Sequence, residues 1–122
     1  LRRKLVDALA QVVYTLHDAR VYAVDLSAKN ILVRLDGDDW RVFVVDLDNT
    51  HLWRQLTHRR RIWNLAQLND IPDGVTPGER MRFFHKYAGG DEPLLSRADA
   101  LAIMKLTKER HERWRRKTGQ VQ

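Results

Sequence analysis

The chain has 122 residues, 43% of them hydrophobic, with 22 Lys and Arg against 16 Asp and Glu, and no Cys. That length holds one domain at most, and the apolar share supports a packed core, which excludes wholesale disorder. No apolar run approaches the roughly 18 residues of a membrane span, no disulfide or thiolate zinc site is available, and the formal charge of +6 favours anionic partners such as nucleotides, phosphorylated sugars, nucleic acid or an acidic membrane face.

In chain order, Leu5, Leu9, Val12, Val13 and Leu16 recur at spacings of three and four and predict an amphipathic helix over residues 2–18. Its charged start is not the apolar core of a signal peptide. Residues 21–24 read as a short strand or extended entry. Two apolar, β-branched runs, Ile31 to Leu35 and Val42 to Val45, flank Asp36, Gly37, Asp38 and Asp39. Asp-Gly is a hairpin signal, so residues 31–46 are predicted to double back antiparallel. A helix is expected over about residues 54–70, stopped by Pro72 and Gly74. Thr76, Pro77 and Glu79 have the order of a capping box opening a third helix, which Gly89 and Gly90 stop. Ser96 and Asp99 cap the last helix; after Thr107 the chain turns basic and polar, so its end is expected to project or fray.

The chemistry lies at Asp25, Asn30 and Asp46. Asp25 is followed five residues on by Asn30, then by the predicted hairpin, whose return would bring Asp46 back beside Asn30. Asp25 and Asn30 taken singly are ordinary turn residues. With Asp46 they form the order that phosphoryl transfer from Mg-ATP needs, one carboxylate for the acceptor hydroxyl and an amide and a second carboxylate for the metal. Hard oxygen ligands of this kind suit Mg²⁺. The acidic group Asp36, Asp38 and Asp39 lacks the remaining ligands of a calcium loop and reads as a solvated turn. The five His share no metal-ligand spacing, and the four Trp read as packing residues. Arg59, Arg60 and Arg61 read either as a phosphate contact or as the exposed face of a helix start, and the basic run from Lys105 to Lys117 reads as a solvated face.

These segments resemble the protein-kinase-like superfamily, and within it the bacterial lipopolysaccharide kinases that act on Kdo and heptose. The resemblance is carried by Asp25-Leu-Ser-Ala-Lys29-Asn30-Ile-Leu-Val33, by Asp46-Leu47-Asp48, by Asn64-Leu65-Ala66-Gln67-Leu68, and by Leu16-His17-Asp18-Ala19-Arg20-Val21, similar to the family's L-H-x-x-G-V. It is specific from about residue 5 to 70.

The resemblance implies an α+β, mainly helical C-terminal kinase lobe, residues 1–122, with one small hairpin bearing the catalytic and metal loops and a basic helical tail over 107–122. It implies that Asp25 orients the attacking hydroxyl, that Lys29 places charge near the transferred phosphoryl group, and that Asn30 and Asp46 hold Mg²⁺ and with it ATP. Asp48 would lie on the same side as Asp46. The acceptor would be an anionic lipid-linked or phosphorylated sugar, and the location cytoplasmic, with at most peripheral contact at the inner face of the bacterial inner membrane. Two features depart from the pattern. Ala23 stands where the family has a loop-orienting His, and no Gly-rich loop, β3 Lys or αC Glu precedes the catalytic loop. The chain is therefore expected to need an N-terminal lobe and to be inactive alone. The alternatives are an inactive kinase-like binding module and, less suited to the Asp25, Asn30 and Asp46 order, a nucleic-acid-binding domain.

Overall fold

The spacing of apolar residues at the start of the chain becomes helix α1 (Arg2–Asp18), which buries Ala10, Val13 and His17 on one stripe. In the computed structural model, residues 1–45, 50–52, 56–71, 74–89 and 95–118 are described. Arg20 takes a left-handed backbone, φ 63°, and turns the chain out of α1. It occupies the place of the glycine in the family's L-H-x-x-G-V, which is why that pattern has a residue without a Cβ there. Strand β1 (Val21–Ala23) follows, and it pairs antiparallel with β4 (Thr50–Leu52), Val21 opposite Leu52 and Ala23 opposite Thr50. That pairing joins three-residue strands and carried no pattern of its own.

The hairpin forms as expected. Strands β2 (Ile31–Asp36) and β3 (Asp39–Val44) pair in the register Ile31 opposite Val44 and Asp36 opposite Asp39. Gly37, at φ 64°, makes the turn, and Arg41 Nε donates to Asp36 Oδ2 at 2.8 Å across its mouth. Helix α2 (His58–Asn69) starts later than its apolar content suggested. Thr57 is the reason: it is extended, and its side chain accepts from the Arg60 N–H as N-cap.

Helix α3 (Pro77–Ala88) opens with the full capping box of Thr76 and Glu79 and closes at Gly89, φ 71°. Ser96 and Asp99 exchange hydrogen bonds at the head of helix α4 (Arg97–Thr118). That helix continues past Thr107 to Thr118 with exposed side chains at its end. Glu109 and Arg113, and Glu112 and Arg116, stand four apart in the orientation that supports an exposed helix.

Helix α1 packs on α3, and α2 on α4. Asp7 ties the first pair, receiving Arg82 Nε and Nη2 at 2.8 Å each. Between the helices lie Val13, Leu26, Leu65, Ala66, Leu68, Tyr87 and Ile103, all buried. The architecture is α+β and mainly helical, with the small hairpin to one side. Among the described residues no helix is long and apolar enough to cross a membrane.

Candidate active site

The segment between β1 and β2 is a loop pinned at three points. Leu26, wholly buried, fixes it to the core. A 3₁₀ turn, Ala28–Asn30, closes it, with the Asn30 N–H donating to Ser27 O at 3.0 Å. The buried Asn30 side chain reaches back, Nδ2 donating to Asp25 O at 3.0 Å. That bond commits the amide nitrogen to the backbone and leaves the amide oxygen as the atom with cation-binding chemistry. On the other side, Val45 N–H donates to Asn30 O at 2.8 Å, so the returning strand does run beside Asn30. Asp46, the next residue, lies outside the described residues, as does Asp48.

Asp25 points its two carboxylate oxygens at different surroundings. Oδ2 faces Lys29 Nζ at 3.2 Å. Oδ1 has Arg110 Nη2 at 4.0 Å, is itself buried, and makes no hydrogen bond. Burial pushes this carboxyl up, but the Ser27 hydroxyl and Lys29 ammonium beside it, with the Arg110 charge, outweigh burial and hold it below the usual carboxylate range. Asp25 is thus ionised at neutral pH, with one carboxylate oxygen that is not engaged in a hydrogen bond. Lys29, 74% exposed, is paired with Asp25 and also faces solvent.

Arg110 was not anticipated. It comes from α4, in the run read as a solvated face, and it bridges Asp25 and Asp70, with Nε 3.6 Å from Asp70 Oδ2. His111 joins the same carboxylate, its Nδ1 3.2 Å from Asp70 Oδ1. Nothing local marks Arg110 apart from the other arginines of that helix.

The loop is also held from below by α2. Asn64 Nδ2 donates to Ala23 O at 2.7 Å, Gln67 Nε2 donates to Val24 O at 2.8 Å, and Leu26 N–H donates to Gln67 Oε1 at 3.2 Å. Asn64 Nδ2 also donates to Gln67 Oε1 at 2.8 Å, locking the two amides together. Two buried amides three apart on an apolar helix face were the signal, present in the Asn64-to-Leu68 motif but given no role.

Behind them stands His17. Asn64 Oδ1 can only accept, so His17 Nε2 carries the proton in their 3.0 Å bond, and Nδ1 accepts from the Tyr87 hydroxyl at 2.7 Å. Tyr87 in turn accepts from Arg61 Nη1 at 2.6 Å. Burial, reinforced by the Arg61 charge and opposed by the Asn64 bond, pushes His17 down to about 4, so the imidazole is neutral. Burial likewise pushes the Tyr87 phenol up to about 12. This network grips the backbone at Ala23 and just after it, at Val24 and Leu26; the resemblance puts a loop-orienting His at position 23.

The remaining candidates separate from this loop. Among the described residues, His58 pairs with Asp99 at 2.8 Å and Trp114 stacks on His111, Trp40 Nε1 donates to Leu1 O, and Arg61 turns inward to Tyr87. Arg59 and Arg60 instead line a cleft with Trp63 and Arg113.

A model of the lipopolysaccharide kinase (Kdo/WaaP) family matches residues 1–87. Among solved structures, the chain is similar to WaaP in its complex with acyl carrier protein, with a TM-score of 0.73 and 26% identity over 92% of this chain and 48% of that one. It therefore spans about half the length of that relative. No curated protein matches. The fold is the kinase-like fold of WaaP, and the chain belongs to the lipopolysaccharide kinase (Kdo/WaaP) family.

Proposed function

We propose that this chain is the catalytic-loop lobe of an ATP-dependent kinase that phosphorylates a hydroxyl of a lipopolysaccharide core sugar. The observation that carries the reading is the Asp25 carboxylate: ionised, held on a loop clamped from two sides, with one oxygen that makes no hydrogen bond. In the proposed reaction the sugar oxygen attacks the γ-phosphorus of ATP, its proton passes to Asp25, and the bond to the ADP oxygen breaks. Lys29 and Arg110, both beside Asp25, offset negative charge as the phosphoryl group moves. Asn30 and Asp46 are the residues that would hold Mg²⁺, which supplies charge neutralisation on the phosphates. The Asn30 amide oxygen fits that task.

The parts of the nucleotide site that the sequence lacks, a Gly-rich loop and its lysine, would come from the rest of a protein about twice this length, of which residues 1–122 form the C-terminal lobe. The likeness to WaaP in complex with acyl carrier protein supports testing an acyl carrier protein as partner. The charge of +6 suits an acidic protein or the inner, anionic face of a bacterial membrane.

The test is Asp25→Asn in the longer protein. Turnover is expected to fall at least about a hundredfold with the melting temperature unchanged; an unaltered kcat refutes the assignment. Asp46→Asn is expected to raise the Mg²⁺ concentration needed for nucleotide binding, measured by calorimetry. The rival reading, an inactive binding module, rests on Ala23 and on the missing N-terminal lobe, and only the first of these bears on the loop. The Asn64 and Gln67 amides that grip the loop argue against it, because they replace the missing His as the device that fixes the loop.

A further inference from the structure

Asn64, Gln67 and Asp70 stand three apart, two within α2 and the third at its C-cap. The first two hold the loop backbone at Ala23, Val24 and Leu26. Asp70 reaches the loop through a second residue: Arg110 Nε lies 3.6 Å from Asp70 Oδ2, and Arg110 Nη2 lies 4.0 Å from Asp25 Oδ1. We propose that Asp70 is a positioning residue for phosphoryl transfer, holding the Arg110 guanidinium beside Asp25 but short of a closed ion pair with it. The inference rests on the kinase reading for what Asp25 does, and on the geometry for where Arg110 stands.

One guanidinium stands between two carboxylates and is hydrogen-bonded to neither. Both separations exceed the roughly 2.7–2.9 Å of a charge-assisted bond. Arg110 Nε and Asp25 Oδ1 are both buried atoms that make no hydrogen bond. Opposite charges this close and this shielded attract strongly, so the Asp25 pair closes unless the guanidinium is drawn elsewhere. Asp70 supplies that pull at the Nε end of the same fork.

Asp70 is itself anchored. Its Oδ1 accepts from His111 Nδ1 at 3.2 Å, and its N–H donates to Ala66 O at 3.2 Å. The neighbouring Asn69 Nδ2 donates to Thr107 Oγ1 at 3.0 Å, which ties the end of α2 to α4 about one turn before Arg110. The carboxylate does not serve α2. At a helix C-terminus it opposes the dipole, and the last turn of α2 has no basic residue to offset it. The offset comes from α4, through Arg110 and His111. Helix stability alone would favour Asn at this end, so the gain from the negative charge lies in what it does to Arg110.

That gain is chemical. A base must keep its affinity for a proton until the acceptor hydroxyl gives one up. A guanidinium bonded to Asp25 would lower that affinity, and one turned out to solvent would no longer offset charge on the moving phosphoryl group. At 4.0 Å, Arg110 stays close without engaging Oδ1, while Lys29 Nζ takes Oδ2 at 3.2 Å.

In the longer protein, Asp70→Asn is expected to lower kcat about tenfold or more and to leave KM within about twofold, because Arg110 closes on Asp25. Asn is a common helix-ending residue, so the melting temperature should hold. In an Arg110→Gln background the same substitution should do almost nothing. An unaltered kcat in Asp70→Asn, a change confined to KM, or an equal loss in both backgrounds overturns the proposal. Nitrogen-15 NMR of this chain reads the geometry directly. Arg110→Gln identifies the Arg110 Nε–H resonance, which should shift in Asp70→Asn and also in Asp25→Asn. A resonance that answers to one carboxylate only, or to neither, refutes the shared guanidinium even where turnover falls. The two readings separate in Asp25→Asn. Retained turnover there, with a resonance that responds to both carboxylates, sinks the kinase reading alone. Lost turnover there, with a resonance unmoved by Asp70→Asn, sinks the positioning role alone.

Discussion

Replacing Asn64 with Leu keeps most of the side chain's bulk and deletes both polar atoms. Asn64 is wholly buried and makes three bonds: to Ala23 O at 2.7 Å, to Gln67 Oε1 at 2.8 Å, and from His17 Nε2 at 3.0 Å. Gln67 Oε1 retains a donor, the Leu26 N–H. The Ala23 carbonyl and the His17 Nε2–H lose theirs inside the core. Each such loss costs about 1–3 kcal/mol, and the added apolar burial of Leu returns about 1 kcal/mol. The expected net destabilisation is about 3 kcal/mol, a large part of the 5–15 kcal/mol typical of a domain. Urea denaturation of the chain, followed by Trp fluorescence, measures it. Hydrogen exchange at Leu26 tests the mechanism, because that amide is held by the same clamp through Gln67. A loss below about 1 kcal/mol, or unaltered Leu26 exchange, would refute the claim that α2 holds the loop.

His17 is expected to give the chain an acid limit. The unfolded imidazole takes up a proton near the ordinary histidine value of 6.5, whereas the buried one resists until about 4. The unfolded state therefore binds more protons across that window, and stability falls as pH drops through it, by about 3 kcal/mol in all, with the full amount gone below pH 4. Denaturation from pH 7.5 to 4 measures this, and a slope that persists unchanged in His17→Gln would assign it elsewhere. At Arg20, φ 63°, a Gly substitution should be neutral or stabilise by up to about 1 kcal/mol, while Val should cost about 1–2 kcal/mol; thermal melts that rank the two in reverse would disprove the strain at this turn. Thr76→Ala removes the α3 N-cap, whose hydroxyl accepts from the Glu79 N–H at 3.1 Å, and should cost about 1 kcal/mol by the same assay.

The features that the sequence announces are those whose partners lie within a few residues. The Gly37 turn sets the β2–β3 register, Thr76 and Glu79 bond each other across one turn, and Asn30 bonds the backbone of Asp25 five residues earlier. Periodicity and turn chemistry act over that range, so residues 2–18, 31–44 and 77–88 were readable. The start of α2 was not, because its apolar content extends beyond the point where Thr57 caps it. Nor was the β1–β4 pairing, where strands of three residues show no alternation.

The site divides along the same line. Asp25, Lys29 and Asn30 come from one loop and were named together, while the groups that complete it come from afar. Asn64 reaches Ala23 and Gln67 reaches Val24 across 41 and 43 residues. Arg110 arrives from α4, in a run whose neighbouring arginines and lysines have the same composition. Charge patterning counts such residues but cannot rank them, because helix packing alone decides that Arg110 meets a carboxylate and Arg113 a cleft. If the clamp and Arg110 carry the roles assigned to them, variants in α2 and α4 should change turnover in the longer protein without touching any residue of the loop from Asp25 to Asn30.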